Sequence, residues 1–160
     1  MTLQAGDRIP DATLNTIRDG AVQAVSTGKI FDGRKVVLFA VPGAFTPTCS
    51  EKHLPGYVEQ FEAFRARGVE VACLSVNDAF VMDAWGRSQS APDALTMLAD
   101  GNGEFTRALG LELDATAFGM GVRAKRFALY AEDGVVKSLF VEAPGEFRVS
   151  SAGHLLAALP

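Results

Sequence analysis

The amino-acid sequence predicts an α/β domain of three layers, with helices on both faces of a mixed central β-sheet, and three observations predict it. Two short apolar runs, residues 36–41 and 69–76, read as strands buried on both faces. Segments of helical periodicity alternate with them, which calls for parallel pairing through crossovers. Near the C-terminus, residues 126–131 and 135–141 flank Glu132-Asp133-Gly134, a tight-turn signal that adds an antiparallel pair.

Taken in order, residues 3–14 carry Gly6, Pro10 and polar side chains and predict an irregular edge hairpin or loop. Asp32-Gly33 is a turn leading into the 36–41 strand, which Pro42-Gly43 ends. Thr46-Pro47-Thr48 then supplies cap-type and first-turn residues, which puts Cys49 in the first turn of a helix. Tyr57, Val58, Phe61 and Phe64 recur at helical spacing, with Glu59, Glu62 and Arg65 opposite. Pro55 inside that pattern predicts a kink or a restart, because it has no N–H to give the preceding turn.

Gly68 closes this helix, and the 69–76 strand holds Cys73 in its middle. Asn77-Asp78 caps a helix carrying Phe80, Val81, Ala84 and Trp85. Residues 95–98 predict a short strand and residues 104–109 a short helix. A last helix starts near Ser151, with Leu155, Leu156 and Leu159 as its apolar face. No repeat or low-complexity segment interrupts the chain.

Length and composition bound the function. The 160 residues suit one domain, residues 1–160, and 48% hydrophobic with 21% charged residues is ordinary globular composition. A net charge of -4 argues against nucleic acid, since Arg123, Lys125 and Arg126 are too few to make a phosphate-binding face. No apolar stretch approaches the roughly 20 residues that cross a bilayer. The N-terminus lacks the basic start and apolar core of a secretory signal. Two cysteines with no such signal predict a reducing compartment, the cytoplasm, and thiol chemistry instead of a disulfide framework.

Cys49 is the centre of that chemistry. Unpaired N–H groups and the positive end of a helix dipole favour an anion in the first turn, a setting in which a cysteine pKa drops. The gain is large: an ordinary thiol is about 3% ionised at neutral pH, and one with a pKa near 6 about 90%. His53 lies four residues on, so a Cys–His nucleophile pair is conceivable, although Pro55 disturbs the geometry. Cys49, His53, Cys73 and His154 make a metal site by count but lack close-spaced ligand pairs, and neither a metal nor another cofactor is expected. Phe45, Phe80 and Phe118 read either as core or as the lining of an apolar pocket or dimer contact.

The residues around Cys49 resemble the peroxiredoxins, in particular the type II or peroxiredoxin 5-like subgroup of plants, animals and bacteria. Pro42, Thr46 and Cys49 fit that family's P-x-x-x-T-x-x-C pattern, and residues 42–57, PGAFTPTCSEKHLPGY, resemble the subgroup signature. Residues 71–82 and 119–130 match further subgroup segments. The resemblance covers about the whole chain, and it implies a thioredoxin-like fold and thiol-dependent reduction of hydrogen peroxide and small alkyl hydroperoxides.

Carried over residue by residue, the resemblance makes Cys49 the peroxidatic cysteine and Thr46 the hydroxyl that orients peroxide and thiolate. Pro42 becomes the shield of the pocket and Arg126 its guanidinium, while Phe45 and Phe118 are pocket candidates. It assigns His53 no role as a base. Such a thiolate becomes a sulfenic acid that a second thiol must reduce. Animal members carry a resolving cysteine near the C-terminus, where residues 147–152 here have serines. Cys73 occupies the place of the second cysteine of plant members, so it is either the resolving thiol or inert packing in its strand. The resemblance further implies glutathione with glutaredoxin, or thioredoxin, as reductant and a homodimer as the assembly. Two other readings of the residues stand beside it: a thiol–disulfide oxidoreductase, although Thr46-Pro-Thr-Cys49 has one cysteine of the usual pair, and a redox sensor that switches partner on Cys49 oxidation.

Overall fold

A computed structural model of the chain describes residues 2–160. Its centre is a sheet of seven strands. The N-terminal pair, β1 (Thr13–Arg18) and β2 (Ala21–Ser26), is followed by the short helix α1 (Thr27–Phe31), which Ser26 caps through its hydroxyl. Then come β3 (Lys35–Ala40), helices α2 (Leu54–Glu59) and α3 (Phe61–Arg65), and β4 (Val69–Ser75). Helix α4 (Ala79–Ser88), β5 (Thr96–Ala99) and α5 (Glu104–Leu109) continue the alternation. A small two-stranded ribbon, β6 (Glu112–Asp114) and β7 (Val122–Ala124), precedes the hairpin β8 (Phe127–Glu132) and β9 (Val135–Val141), and α6 (Ala152–Ala158) ends the chain.

The strand order is β2-β1-β5-β4-β3-β8-β9. β5, β4 and β3 are parallel, while β1 and β8 flank them antiparallel, so the sheet is mixed as its sequence pattern predicts. Because side chains alternate across a strand, β3 feeds two cores. Val37 and Phe39 face the layer of α2, α3, α4 and α6, whereas Val36, Leu38 and Ala40 face that of α1 and α5. On the first face Trp85, Tyr57 and Phe64 are buried, and the Phe39 and Tyr57 rings stack at 3.9 Å.

Some expectations hold only in part: residues 3–12 are irregular as expected, and the helix is disturbed next to Pro55. The irregular segment predicted for residues 3–14 gives way at Thr13 to a regular antiparallel hairpin. Its turn, Asp19-Gly20, has both residues at positive φ, the same two-residue geometry as Asp133-Gly134 in the β8–β9 hairpin. Phe80 does not pack in the core: α4 buries Ala79, Met82, Trp85 and Gly86. The restart at Pro55 takes the form of a wide π-helical turn over Cys49–His53, in which the Leu54 N–H donates to the Cys49 carbonyl. α2 continues directly from this turn, so Pro55 stands inside a continuous helical segment, and the N–H it lacks is one that would have reached back into the turn. Among the described residues no helix is long and apolar enough to cross a membrane.

Candidate active site

β3 ends in the sheet's interior and delivers the 41–48 loop to the edge of the first core, so Cys49 starts the wide turn at a buried position. Burial alone fits a core cysteine. The Arg126 Nη2 donates to the Cys49 Sγ at 3.1 Å, and a packing cysteine has no such donor. Arg126 lies between β7 and β8, one residue before β8 begins, which brings it across the sheet from β3.

The other side of the guanidinium meets His53. Arg126 Nη1 donates to His53 Nδ1 at 2.9 Å, and because a guanidinium only donates, Nδ1 must carry the lone pair. The ring proton therefore lies on Nε2, which donates to the Ser150 carbonyl at 3.0 Å. Burial first, and the Arg126 charge second, pull the His53 pKa down to about 3, so the ring is neutral throughout the physiological range. His53 reaches Cys49 only through Arg126, and its free electron pair is already engaged. The direct Cys–His pair is absent.

The loop before Cys49 is fixed from three sides. The Thr46 hydroxyl donates to the Gly43 carbonyl at 2.6 Å, and the Ala44 N–H donates to the Asn77 Oδ1 at 3.0 Å. Arg123 Nη1 donates to the Pro42 carbonyl at 3.4 Å while its Nε donates to the Met120 carbonyl at 2.9 Å. Gly43 permits this close approach, since a Cβ there would stand 3.1 Å from Arg123 Nη1. From the helix side, Trp85 Nε1 donates to the Ser50 hydroxyl at 3.0 Å. Thr46 is thus held by its own proton and does not cap the helix with its side chain.

A cavity of about 220 Å³ beside the guanidinium is walled by Pro42, Thr48, Leu113, Lys125, Arg126 and residues 142–146. Cys73 lies in the middle of β4, fully buried in the same core cluster as Cys49, and burial pushes its thiol well above the usual range. Phe45 and Phe118 do not line that cavity. Phe45 in the loop before Cys49, Phe118 in the turn between β6 and β7 and Phe80 at the start of α4 stand 56%, 81% and 68% exposed, and Phe45 holds a positive φ of 64° that is costly for a large side chain. Among the described residues no group of three or more His, Cys, Asp or Glu is placed to hold a metal ion.

Sequence reasoning brought Cys49, Thr46, Pro42 and Arg126 to one place, and the structure adds His53, Ser150, Glu142 and Arg123. The first of these was visible as a neighbour of Cys49, but its partner in the fold was not.

The Redoxin family model matches residues 4–156. The chain belongs to the peroxiredoxins. It is 53% identical over 99% of its length to peroxiredoxin-2E-2, chloroplastic, of Oryza sativa subsp. japonica, of which it covers 73%. It is 48% identical to peroxiredoxin-2B of Arabidopsis thaliana, with 98% of both chains covered. Among solved structures, reduced Prx3 of Vibrio vulnificus in complex with hydrogen peroxide superposes with a TM-score of 0.94 at 50% identity, covering 98% of this chain and 99% of that one. As a peroxiredoxin of type II kind, the chain is a thiol-dependent peroxidase on a thioredoxin fold.

Proposed function

We propose that Cys49 is the peroxidatic residue of this peroxidase, acting on hydrogen peroxide and small alkyl hydroperoxides. The observation that carries the reading is the single guanidinium bonded at once to the Cys49 sulfur and to a neutral His53. In the reaction the sulfur attacks one peroxide oxygen, an S–O bond forms as the O–O bond breaks, and the departing hydroxide or alkoxide takes a proton from water. Arg126 supplies a fixed cation and donor where negative charge moves from sulfur to oxygen. Thr46 has spent its proton on Gly43, so its oxygen offers only lone pairs and accepts from the peroxide O–H. Pro42, held by Arg123, covers the site and limits water around the sulfenic acid. His53 cannot serve as the proton donor, being neutral above about pH 3.

The sulfenic acid is recycled by an external thiol, glutathione with glutaredoxin or thioredoxin. Two features support this: the Cys73 thiol is buried and kept protonated, and Ser150 and Ser151 stand where a C-terminal resolving cysteine would be needed. We further propose that residues 1–160 act as one domain in the cytoplasm, where free thiols such as Cys49 and Cys73 are maintained. The assembly is a homodimer through the exposed Phe45, Phe80 and Phe118 rim.

Rapid consumption of stoichiometric hydrogen peroxide by reduced protein, abolished in Cys49→Ser, tests the central claim. Persistent consumption in that variant refutes it. Coupled assays with each reductant identify the recycling partner, and sedimentation of wild type against Phe118→Asp tests the dimer.

A further inference from the structure

Glu142 follows β9 directly and is buried, yet no cation pairs with it among the described residues. Instead its carboxylate closes a turn of the chain upon itself. Arg148 N–H donates to both of its oxygens at 2.9 and 2.8 Å, and Val149 and Ser150 N–H donate to Oε2 at 2.9 and 2.8 Å. The Ser150 hydroxyl adds a fifth bond at 2.7 Å. Consecutive N–H groups converging on one anion form a nest, and a neutral side chain would leave them short of acceptors in a buried place. Burial opposes ionisation of Glu142, but the bonds from Ser150, Arg148 and Val149 outweigh it and hold the carboxyl below its ordinary range.

The clasped turn is aimed at the thiol. With its N–H and hydroxyl both pinned by Glu142, Ser150 has its carbonyl fixed in direction, and that oxygen receives His53 Nε2–H at 3.0 Å and the Tyr57 hydroxyl at 2.8 Å. The bond to Nε2 decides which imidazole nitrogen carries the proton. Were the proton on Nδ1, His53 and Arg126 would present donor to donor, and the guanidinium would lose the acceptor that orients it. Phe147, inside the clasped turn, packs edge-on to the His53 ring at 5.0 Å and lies 6.0 Å from the Arg126 guanidinium carbon. The circuit closes through the backbone, where Glu142 N–H donates to the Arg126 carbonyl at 2.9 Å.

We infer that Glu142 is a positioning residue for peroxide reduction: its carboxylate sets the Ser150 carbonyl, the carbonyl sets the His53 tautomer, and His53 sets the Arg126 guanidinium on Cys49. The inference rests on the proposed role of Cys49 and Arg126 in that reaction. It assigns a task to a carboxylate that never touches peroxide and that no part of the active-site signature includes.

Glu142→Gln tests it in the full chain, because the amide keeps the shape but turns one acceptor into a donor facing other donors. The expected result is a fall of about ten- to a hundredfold in the rate constant with hydrogen peroxide. Nitrogen NMR of the ring should record loss of the single Nε2–H form of His53. A folded Glu142→Gln protein with the wild-type rate and the wild-type His53 tautomer overturns the inference. If that variant does not fold, Ser150→Ala, which removes only the hydroxyl bond, decides the matter: a several-fold slower rate with a partial loss of the Nε2–H form of His53 supports the relay, and wild-type values refute it. Cys49→Ser separates the two levels. Peroxide consumption surviving in Cys49→Ser sinks the assignment of the site itself; consumption lost there but unchanged in Glu142→Gln sinks the relay alone.

Discussion

Replacing Arg126 by Lys keeps the positive charge and removes the fork, so it separates field from geometry at the sulfur. The guanidinium makes two bonds at once, Nη2 to Cys49 Sγ at 3.1 Å and Nη1 to His53 Nδ1 at 2.9 Å. A lysine ammonium is a point charge on a flexible stem and cannot reproduce that planar pair. At least one bond involving a charged partner is lost, a cost of about 1.5–3 kcal/mol. At about 1.4 kcal/mol per tenfold, Arg126→Lys should react about ten to 150 times more slowly with hydrogen peroxide. Arg126→Met, which removes both donors and the charge, should lose about a hundred- to a thousandfold, as for an oxyanion donor. Stopped-flow single turnovers can be followed through Trp85, the one tryptophan of the chain, whose Nε1 is bonded to Ser50 beside Cys49. Circular dichroism confirms that each variant is folded. If Arg126→Lys reacts at the wild-type rate, charge alone suffices and the two-bond argument is wrong.

Thr46→Val removes the oxygen proposed to accept from the peroxide O–H, and its rate constant should drop about tenfold or more; an unchanged rate would strip Thr46 of its role. Cys73→Ser should turn over normally with an external thiol, and one equivalent of peroxide should add a single oxygen to the wild-type mass. A loss of two hydrogens would instead mean a Cys49–Cys73 disulfide. His53 also predicts a pH dependence of stability. Its folded pKa of about 3 lies below the unfolded 6.5, so the unfolded chain binds the extra proton between those values. Stability from this group is complete above pH 6.5 and declines as pH falls toward about 3, by about 1.4 kcal/mol per pH unit. Urea unfolding at about pH 5 and about pH 7 should give a smaller difference for His53→Gln than for wild type, and equal differences would refute the assignment.

What the sequence makes legible is what neighbouring residues decide together. β3 and β4 announce themselves as apolar runs, the β8–β9 hairpin as a turn between them, and α6 through Ser151, whose hydroxyl does accept the His154 N–H. The β1–β2 hairpin carries the same Asp-Gly turn but was hidden, because β2 is largely exposed and shows no buried alternation to mark it as a strand. The P-x-x-x-T-x-x-C run places three site residues, Pro42, Thr46 and Cys49, yet nothing local says that His53 meets Arg126 73 positions away and Ser150 97 positions away. Those bonds exist only once β3 and β8 lie side by side. Pro55 marks in the sequence that the helix is disturbed, but not that the disturbance is a wide turn over Cys49–His53, which differs from a regular helix by hydrogen-bond register.

That register has a consequence of its own. Leu54 skips its own usual partner, the Ser50 carbonyl, and reaches back to Cys49, so the segment winds as though a single amino acid had been slipped into an ordinary helix. Removing any one residue between Ser50 and His53 would let the coil close up into a tidier and more regular rod. It would also change the offset between the imidazole and the thiol, the two groups that the Arg126 guanidinium now bridges. The protein has kept its helix out of step so that two side chains can grasp the same cation.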